Sequence, residues 1–496
     1  MPVFAALLLC ISASASAAGA ASVGIDTIIN AELSRKGITP SQTADPATLV
    51  RRYYLVLTDK LPSGTQVLTF LENQDRERLV DSLLASDGFS RKMVLKWGDL
   101  LRIKSEFPSC MWPNAVQALN KWLFDEFRAG TPYNEFAFSL LTGTGSNFRV
   151  PQTNFFRAGS DRTPHKFASD AALLFLGRRD APEEWNCFFS QVKFKSTKEW
   201  KEEILCLDAD VLPPDAPVTL GTSGIVLEAG SDYRIPFANW LTGSREFASA
   251  FANRLWYWLM GRGIAHPADD LDGSAVNSNP VLLDYLTGRF IESGYDIRAL
   301  AREILLSDAF SRSSLTDVDG NCGDELFSHY IQSRLTAEQI CDGICDITET
   351  SDKYSSRAPE PFTNFPEGTR AIDVCDGTIT TPQLDIFGKP SRDVALESGR
   401  DNSVNAKQIL YLLNSTDIQA KLKASPYIDR ISESGDIHKI TESVYLRVLS
   451  RPASEAEKRT VSQWFSVEKT SGATIRDAAE SLVWALLNTD EFLFLN

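Results

Sequence analysis

The chain has 496 residues, of which 43% are hydrophobic and 23% charged, with a formal net charge of -15 and a pI near 4.9. This composition is typical of a globular protein and excludes an intrinsically disordered chain. The acidic residues are spread along the whole sequence, so the chain lacks the cationic face that a nucleic acid or an anionic lipid surface requires.

The first segment has the pattern of a secretory signal. Val3 to Ile11 form a short apolar core, and small residues with A-x-A-like cleavage positions follow near Ala15 to Ala20. No Lys or Arg precedes the core, and the competing interpretation, a lipoprotein acylated at Cys10, has Leu9 where a small residue is needed. We predict a signal peptide over residues 1–22 and a periplasmic, cell-surface or secreted protein. No later stretch is apolar for the roughly 18 residues of a membrane span.

Apolar residues at helical spacing dominate the N-terminal part of the chain. Turn signals such as Asp87-Gly88 and Gly130-Thr131-Pro132 separate the helical segments. We therefore predict an N-terminal helical domain over residues 23–212. Three apolar stripes carry the pattern: Leu79, Val80, Leu83 and Leu84; Met93, Val94, Trp97, Leu100 and Leu101; Val116, Leu119, Trp122 and Leu123.

The composition changes between Pro213 and Pro236, where Pro, Gly and β-branched residues such as those of Gly224 to Leu227 are concentrated. We predict a linker with a few short strands over residues 213–235, followed by a second helical domain over residues 236–496. A stretch rich in Pro, Gly, Ser and Thr predicts an irregular excursion over residues 351–392. Long ordered loops of this kind often carry function. The fold class predicted overall is mainly α, with two helical domains.

A polar turn, GRGIAHPADDLDG, separates two apolar helical patterns and holds the candidate acid/base residues. Paired carboxylates can act as general acid and base, and a histidine can act as a base near neutral pH. The alternatives are helix capping or a solvated loop for the aspartates and a hydrogen-bonded structural role for the histidine. The candidates are His266, Asp269, Asp270 and Asp272.

A second acidic segment resembles half of a calcium-binding loop, because alternate oxygen side chains can converge on one hard cation. It departs from an EF-hand at Cys322, where a Gly is needed, and at Ser328, where the bidentate Glu belongs. A solvated turn is therefore the alternative to a calcium site. The candidate ligands are Asp317, Asp319, Asn321 and Glu325.

Seven cysteines follow the leader, and in an exported chain they predict disulfides plus one leftover thiol. A Cys187–Cys206 bond is one plausible pairing, and the four C-terminal cysteines leave three connectivities. Cys341 and Cys345 lie one helical turn apart and could form a four-thiolate zinc site with Cys322 and Cys375, to which disulfides or buried thiols are the alternative. The seven are Cys110, Cys187, Cys206, Cys322, Cys341, Cys345 and Cys375.

Aromatic residues are abundant in the segment that precedes the polar turn. They could form a platform on which a carbohydrate stacks, but aromatic residues at helical spacing more often belong to a core. Consecutive aromatics cannot all face the same side of a helix, so one of them could be exposed and free to bind. The residues concerned are Trp240, Trp256, Tyr257 and Trp258.

The runs Arg51 to Gly145 and Asn239 to Ser314 resemble a planctomycete-type family of large extracytoplasmic proteins with paired PSCyt and PSD domains, found beside cytochrome-c-like domains and without a settled activity. Its members commonly carry a Cys-x-x-Cys-His segment, able to attach haem or bind a metal, after a Leu-Gly-x-Arg turn, and a second Cys-bearing segment after a Phe-Gly-x-Pro turn. Here the Leu176 to Arg179 turn is followed by a single cysteine, Cys187, and no histidine. The segment after the Phe387 to Pro390 turn contains no cysteine. The resemblance therefore implies a divergent member without covalent haem.

Two functional interpretations follow. The first is an exported, non-haem binding or scaffold protein with an unknown protein or glycan partner at the cell envelope, serving glycan handling or envelope assembly. The glycan link rests on the family's setting in bacteria rich in polysaccharide-degrading genes. The alternative is an extracellular polysaccharide hydrolase or lyase with Asp269, Asp270 or Asp272 as acid/base residues. If the protein is an enzyme, we expect a cleft where carboxylates and an Arg converge. If it is a scaffold, we expect a flat or apolar face. No cofactor is predicted except the calcium alternative.

Overall fold

A computed structural model describes residues 17–106, 108–316 and 323–496, without the side chains of residues 17–23. The described part is mainly helical with a few short strands, which confirms the predicted fold class at that level. The helices of the first part of the chain are α1 (Ala17–Lys36), α2 (Pro46–Thr58), α3 (Gly64–Asn73), α4 (Arg76–Leu84), α5 (Asp87–Leu100), α6 (Trp112–Ala129), α7 (Tyr133–Thr142), α8 (Pro164–Leu176) and α9 (Asn186–Phe189).

Side-chain caps explain where several of these helices begin. The Asp45 carboxylate accepts hydrogen bonds from the backbone N–H groups of Ala47 and Thr48, both at 3.0 Å, at the start of α2. Ser63 and Gln66 form a capping box at the start of α3. These bonds satisfy N–H groups that have no partner inside a helix, so the sequence fixes the helix starts locally.

Short antiparallel strands follow the first helices. The strands β1 (Gly145–Ser146), β2 (Val192–Ser196) and β3 (Glu203–Leu207) form one sheet in the order β1-β3-β2. A hairpin of β4 (Val218–Leu220) and β5 (Ser223–Ile225) falls inside the range predicted as a linker.

The rest of the chain is again helical, and each of its strand pairs is two residues long on both sides. Residues 351–392 contain only a five-residue helix, α16, and a 3-10 turn at Ala371–Asp373 as helical elements. In chain order the elements are α10 (Arg234–Gly243), α11 (Arg245–Met260), β6 (Ala265–His266), β7 (Val276–Asn277), α12 (Pro280–Glu292), α13 (Ile297–Leu305), α14 (Asp308–Ser311), β8 (Ser333–Arg334), α15 (Ala337–Thr348), α16 (Pro382–Ile386), α17 (Ala406–Asn414), α18 (Thr416–Lys423), α19 (Pro426–Ser432), α20 (Ile437–Val448), α21 (Glu455–Thr470), α22 (Ile475–Leu487), α23 (Asp490–Leu493) and β9 (Phe494–Leu495).

The buried apolar residues of the described ranges form one continuous cluster, which reaches from Ile25 to Leu495. Helix α8 packs on α11, α1 packs on α12, α13 and α14, and β8 pairs with β9. The Tyr133 ring stacks on Phe251 at a centroid distance of 4.0 Å, which joins α7 to α11 across the core. The division into two domains stays a prediction. Among the described helices, none has both the length and the apolar character needed to cross a membrane.

Candidate functional site

The candidate residues of the polar turn lie in the loop between α11 and α12, where β6 pairs with β7. Asp270 accepts hydrogen bonds from the backbone N–H and the hydroxyl of Ser274, at 3.1 and 2.5 Å, and these bonds lower its pKa. Asp272 is exposed. Asp270 therefore holds the turn of the loop, while the cap of the next helix, α12, is Asn279.

His266 lies on β6 and is half-buried. Burial, followed by the positive charge of Arg262, lowers the pKa of His266, so the ring is neutral at neutral pH. Its Nδ1 is buried and has no hydrogen-bond partner among the described residues. The ring centroid lies 6.2 Å from that of Tyr257. No ion pair in the described ranges joins His266 to the candidate aspartates.

Asp270 is buried and lies 3.4 Å from Nε of Arg179, and Asp269 is buried among several charged partners. Its side chain is 7% exposed, and its Oδ1 accepts a hydrogen bond from Nη2 of Arg254 at 3.2 Å. Its Oδ2 accepts from the backbone N–H of Glu397 at 2.6 Å. Arg254, on α11, also donates to the carbonyl of Leu174 at the end of α8. Asp269 thus joins Arg254 of α11 to Glu397, which lies 128 residues after Asp269 in the chain.

Around Asp269 lies a set of charged side chains that we call the ion cluster. Each of them is buried or half-buried, although the sequence signals only one of them as a candidate. The ion cluster consists of Lys96, Asp99, Arg254, Asp269, Glu338, Arg392, Glu397 and Arg400.

One side of the ion cluster is centred on Glu397. Its Oε1 accepts a hydrogen bond from the indole N–H of Trp258 at 2.6 Å, and its Oε2 lies 3.7 Å from Nζ of Lys96. Burial raises the pKa of Glu397 in spite of the neighbouring Lys96, and burial lowers the pKa of Lys96 in spite of Glu397. Both shifts have the direction that desolvation imposes on a charged group.

The other side is centred on Arg400, which joins two carboxylates. Its Nη2 lies 2.8 Å from Asp99 and 3.1 Å from Glu338, and Asp99 also accepts from Nε of Arg392 at 2.9 Å. Burial acts to raise the pKa of Glu338 and Asp99, but the guanidinium groups lower both overall. The two carboxylates and the two guanidinium groups of this part are all ionised, and their charges cancel one another.

The ion cluster leaves little free space. The cavity beside Asp99, Arg392, Glu397 and Arg400 has a volume of about 20 Å³. A single water molecule needs roughly 10–15 Å³ on this measure, so the cavity has room for about one water. The cluster therefore positions helices and loops and offers no space for an organic substrate.

An open cleft with a volume of about 830 Å³ lies beyond the C-terminal end of α15. We call it the α15–α18 cleft, because the loop after α15, the start of α16, the end of α17 and α18 line it. Lys421 forms an ion pair with Asp352 and lies 3.3 Å from Asp417. Gln383 is buried, and its Nε2 has no hydrogen-bond partner in the described ranges. The sequence feature that indicates this cleft is the irregular excursion over residues 351–392, because two of the segments that line the cleft belong to it.

Comparison with known families gives a match in each part of the chain. Residues 24–174 match the family model PSCyt2, a protein of unknown function (DUF1549), and residues 233–465 match PSD1, a protein of unknown function (DUF1553). The chain belongs to the planctomycete-type family that pairs these two domains. No curated protein and no solved structure matches the chain significantly.

The two turns that the PSCyt–PSD resemblance associates with cysteine-bearing segments lie at the ion cluster. The Gly177 carbonyl accepts from the backbone N–H of Leu271 at 2.7 Å, beside Asp269. In the other turn Gly388 has a φ of +82°, and a Cβ there would lie 1.8 Å from the Asp401 carbonyl oxygen, so the turn requires glycine. Covalent haem attachment uses two thiols and an axial nitrogen. The ion cluster holds neither, and its residues and its cavity do not fit a haem.

The structure corrects the disulfide prediction for the cysteines that it describes. Six are described, and all are unpaired. The structure does not show the predicted Cys187–Cys206 bond, and each of the two thiols lies beside a backbone carbonyl. The Cys187 thiol lies 3.0 Å from the Glu184 carbonyl oxygen, and that of Cys206 lies 3.8 Å from the Lys193 carbonyl oxygen.

The C-terminal cysteines are buried or half-buried thiols. Burial raises the pKa of Cys341 well above its usual range, that of Cys345 to about 12 and that of Cys375 to about 11. Cys322 lies outside the described residues. Within the described ranges no group of three or more His, Cys, Asp or Glu could hold a metal ion, so the zinc site has no support there.

Most of the calcium candidates also lie outside the described residues, namely Asp317, Asp319 and Asn321. Glu325 is described, and its side chain is 64% exposed and lies 3.5 Å from Arg262. The calcium site therefore stays a prediction, with one candidate ligand engaged by a cation.

The aromatic residues before the polar turn belong mainly to the core. Trp256 is fully buried, which confirms the core interpretation for that residue. Trp240, Tyr257 and Trp258 are partly buried. The indole N–H of Trp258 is used by Glu397, so this ring covers the ion cluster and does not form an open platform.

Proposed function

We propose that this member of the PSCyt–PSD family is an exported, non-haem binding and scaffold protein of the cell envelope. The observation that carries the proposal is the ion cluster. Three of its members, Arg392, Glu397 and Arg400, follow the Phe387 to Pro390 turn, after which the resemblance expects a cysteine. The charges of the cluster are paired with one another, and its cavity of about 20 Å³ leaves no room for a cofactor. Such a cluster suits a fixed framework rather than a reacting centre.

Export is part of the proposal and rests on the leader pattern of residues 1–22. Cleavage near Ala15 to Ala20 would leave the part of α1 that packs on the rest of the fold, since Ile25, Ile29 and Leu33 are buried. Asp26, in the same helix, accepts hydrogen bonds from the backbone N–H groups of residues 308 and 309 at 2.9 and 3.1 Å. A mature chain that starts shortly before Ile25 therefore keeps the packing of α1 and the hydrogen bonds of Asp26.

The engagement of the candidate carboxylates favours a binding role over polysaccharide cleavage. A carboxylate that acts on a polymer needs access to it, whereas both oxygens of Asp269 are engaged and Asp270 holds the turn of its own loop. The open α15–α18 cleft has room for a ligand of small-molecule size.

Two measurements test the proposal. Mature protein purified from the envelope fraction should show no Soret band, before or after incubation with haem, and its first residue should fall close to Ala20. Incubated with envelope polysaccharides, it should release no new reducing or unsaturated ends. A stoichiometric Soret band would refute the non-haem role. Polymer cleavage that is lost in an Asp269→Asn variant with an unchanged melting curve but kept in the exposed control Asp284→Asn would establish the enzyme instead.

A further inference from the structure

The α15–α18 cleft has the size of a small-molecule site. Its volume of about 830 Å³ lies within the roughly 300–1,000 Å³ that is typical of such sites. A second open cleft, of about 570 Å³, lies beside Lys60, Ser63 and Arg447. Among its described lining residues none carries a buried, unpartnered polar group, so it gives no comparable indication of a ligand.

The charges of the α15–α18 cleft balance. Its charged lining residues are two carboxylates, Asp352 and Asp417, and two amines, Lys353 and Lys421. The Lys421 side chain is 7% exposed and is held between both carboxylates, which fixes it as part of the wall. A cleft without net charge does not select an ionic ligand by long-range attraction.

Gln383 supplies the second observation. It is 3% exposed and lines the cleft, and its Nε2 is buried without a hydrogen-bond partner in the described ranges. A buried donor left unpaired costs free energy, which a ligand oxygen in the cleft would recover once the side chain turns its amide towards it. The wall of the cleft therefore holds one amide donor in need of an acceptor.

Hydroxyl groups and one aromatic ring complete the lining. Thr416 offers a hydroxyl that can donate and accept, whereas the Thr350 hydroxyl pairs with that of Thr348 and the Ser415 hydroxyl accepts from two backbone N–H groups of α18, which leaves each with part of its capacity. The Tyr411 ring is half-buried and is held edge-on by Phe387 at a centroid distance of 6.1 Å. An aromatic face beside an amide and hydroxyls suits a ligand with C–H faces and many hydroxyls.

We infer that the α15–α18 cleft binds an uncharged saccharide, with Gln383 as a hydrogen-bond donor to a sugar oxygen and Tyr411 as the apolar wall. This inference rests on the proposed binding role and names its ligand class. The bound sugar stays intact, because the paired carboxylates Asp352 and Asp417 are engaged by Lys421.

The test is a titration of the purified full-length mature protein, followed by saturation-transfer NMR and calorimetry. The probes are glucose, galactose, mannose, N-acetylglucosamine and cellobiose, with glucuronate and glucosamine as charged counterparts. At least one uncharged sugar should bind saturably. Since one hydrogen bond is worth about 1–1.5 kcal/mol, or roughly tenfold in affinity, Gln383→Ala should weaken that binding by about tenfold. Tyr411→Ala should weaken it as well.

Gln419→Ala is the matched control, because Gln419 lies on α18 but does not line the cleft, and it should bind like the natural sequence. Melting curves of all three variants separate lost binding from lost folding, and Gln383→Glu, which keeps the side-chain size, serves if Gln383→Ala fails to fold. No saturable binding by any uncharged sugar overturns the inference. So does preference for the charged probes, or binding that survives both cleft substitutions. The absorption spectrum of the same preparation tests the non-haem role separately.

Discussion

Arg400→Met should destabilise the protein strongly, because Arg400 is the cation that joins Asp99 and Glu338 inside the fold. The Glu338 side chain is fully buried and that of Arg400 is 7% exposed. Asp99 keeps Arg392 at 2.9 Å after the substitution, so Glu338 is the carboxylate that loses its partner. Removing one partner of a buried pair costs about 3–5 kcal/mol, and we expect a loss of this size in the free energy of unfolding near neutral pH.

The pH dependence of that loss gives a sharper test. In the natural sequence the folded-state pKa of Glu338 is lowered, so its contribution to stability is present above the unfolded-state pKa and is lost as the pH falls through the folded-state value. Without Arg400, burial and the neighbouring Asp99 act to raise the pKa of Glu338, against a smaller lowering by Lys389. Protonation of Glu338 then relieves the variant, so its stability deficit should shrink as the pH falls below neutrality.

Urea unfolding followed by tryptophan fluorescence measures both effects. Arg430→Met is the matched control, because Arg430 pairs with Glu349 at the surface with its side chain 57% exposed. An exposed pair of this kind is worth roughly 1 kcal/mol or less. The double variant with Glu338→Gln should recover part of the loss. A deficit no larger than that of Arg430→Met, or one that stays constant with pH, would refute the role assigned to the ion cluster.

Three further predictions concern individual side chains. A thiol reagent should label the exposed Cys110 in the native protein and the buried Cys341 only after denaturation, as read by peptide mass spectrometry. Burial, followed by the positive charge of Arg392, lowers the pKa of Lys389 in the folded protein to about 8. The charged Lys389 therefore destabilises the fold below about pH 8, and this cost fades as the pH rises towards the unfolded-state pKa near 10.5. The stability of the natural protein relative to Lys389→Met should therefore rise over this interval, and a flat difference in thermal melts would contradict it. Trp97→Ala should cost about 3–5 kcal/mol in urea unfolding, because this fully buried ring lies 4.8 Å from Phe136 and 5.8 Å from Tyr133 at the centre of the core.

The helices could be predicted from the sequence because their signals are local. Phe247, Phe251, Leu255 and Leu259 recur at helical spacing, and all four are buried on α11. The core interpretation of Trp256 has the same basis. Periodicity identifies the face of a helix that is buried, and it needs no knowledge of what that face packs against.

The ion cluster could not be predicted, because its pairs are far apart in the chain. Arg400 lies 301 residues from Asp99 and 62 residues from Glu338. Asp269 is the one member found from the sequence, through its place in a polar turn, and the turn gave no indication of Glu397. A charged residue in a sequence shows neither its burial nor its partner, and the chemistry of the site depends on both.

The ion cluster and the α15–α18 cleft are connected through α15, and this connection gives the buried charges a role in binding. Glu338 lies in the first turn of α15 and is held by Arg400. In the last part of the same helix, the Cys345 thiol lies 3.5 Å from Asp352, the carboxylate that pairs with Lys421 in the cleft. The helix α16, which carries Gln383, packs on α15 as well. The ion cluster thus fixes the position of the helix on which one side of the cleft is built. A change at Arg400 can therefore alter the cleft from a distance, whereas a change at Gln383 acts on the ligand alone.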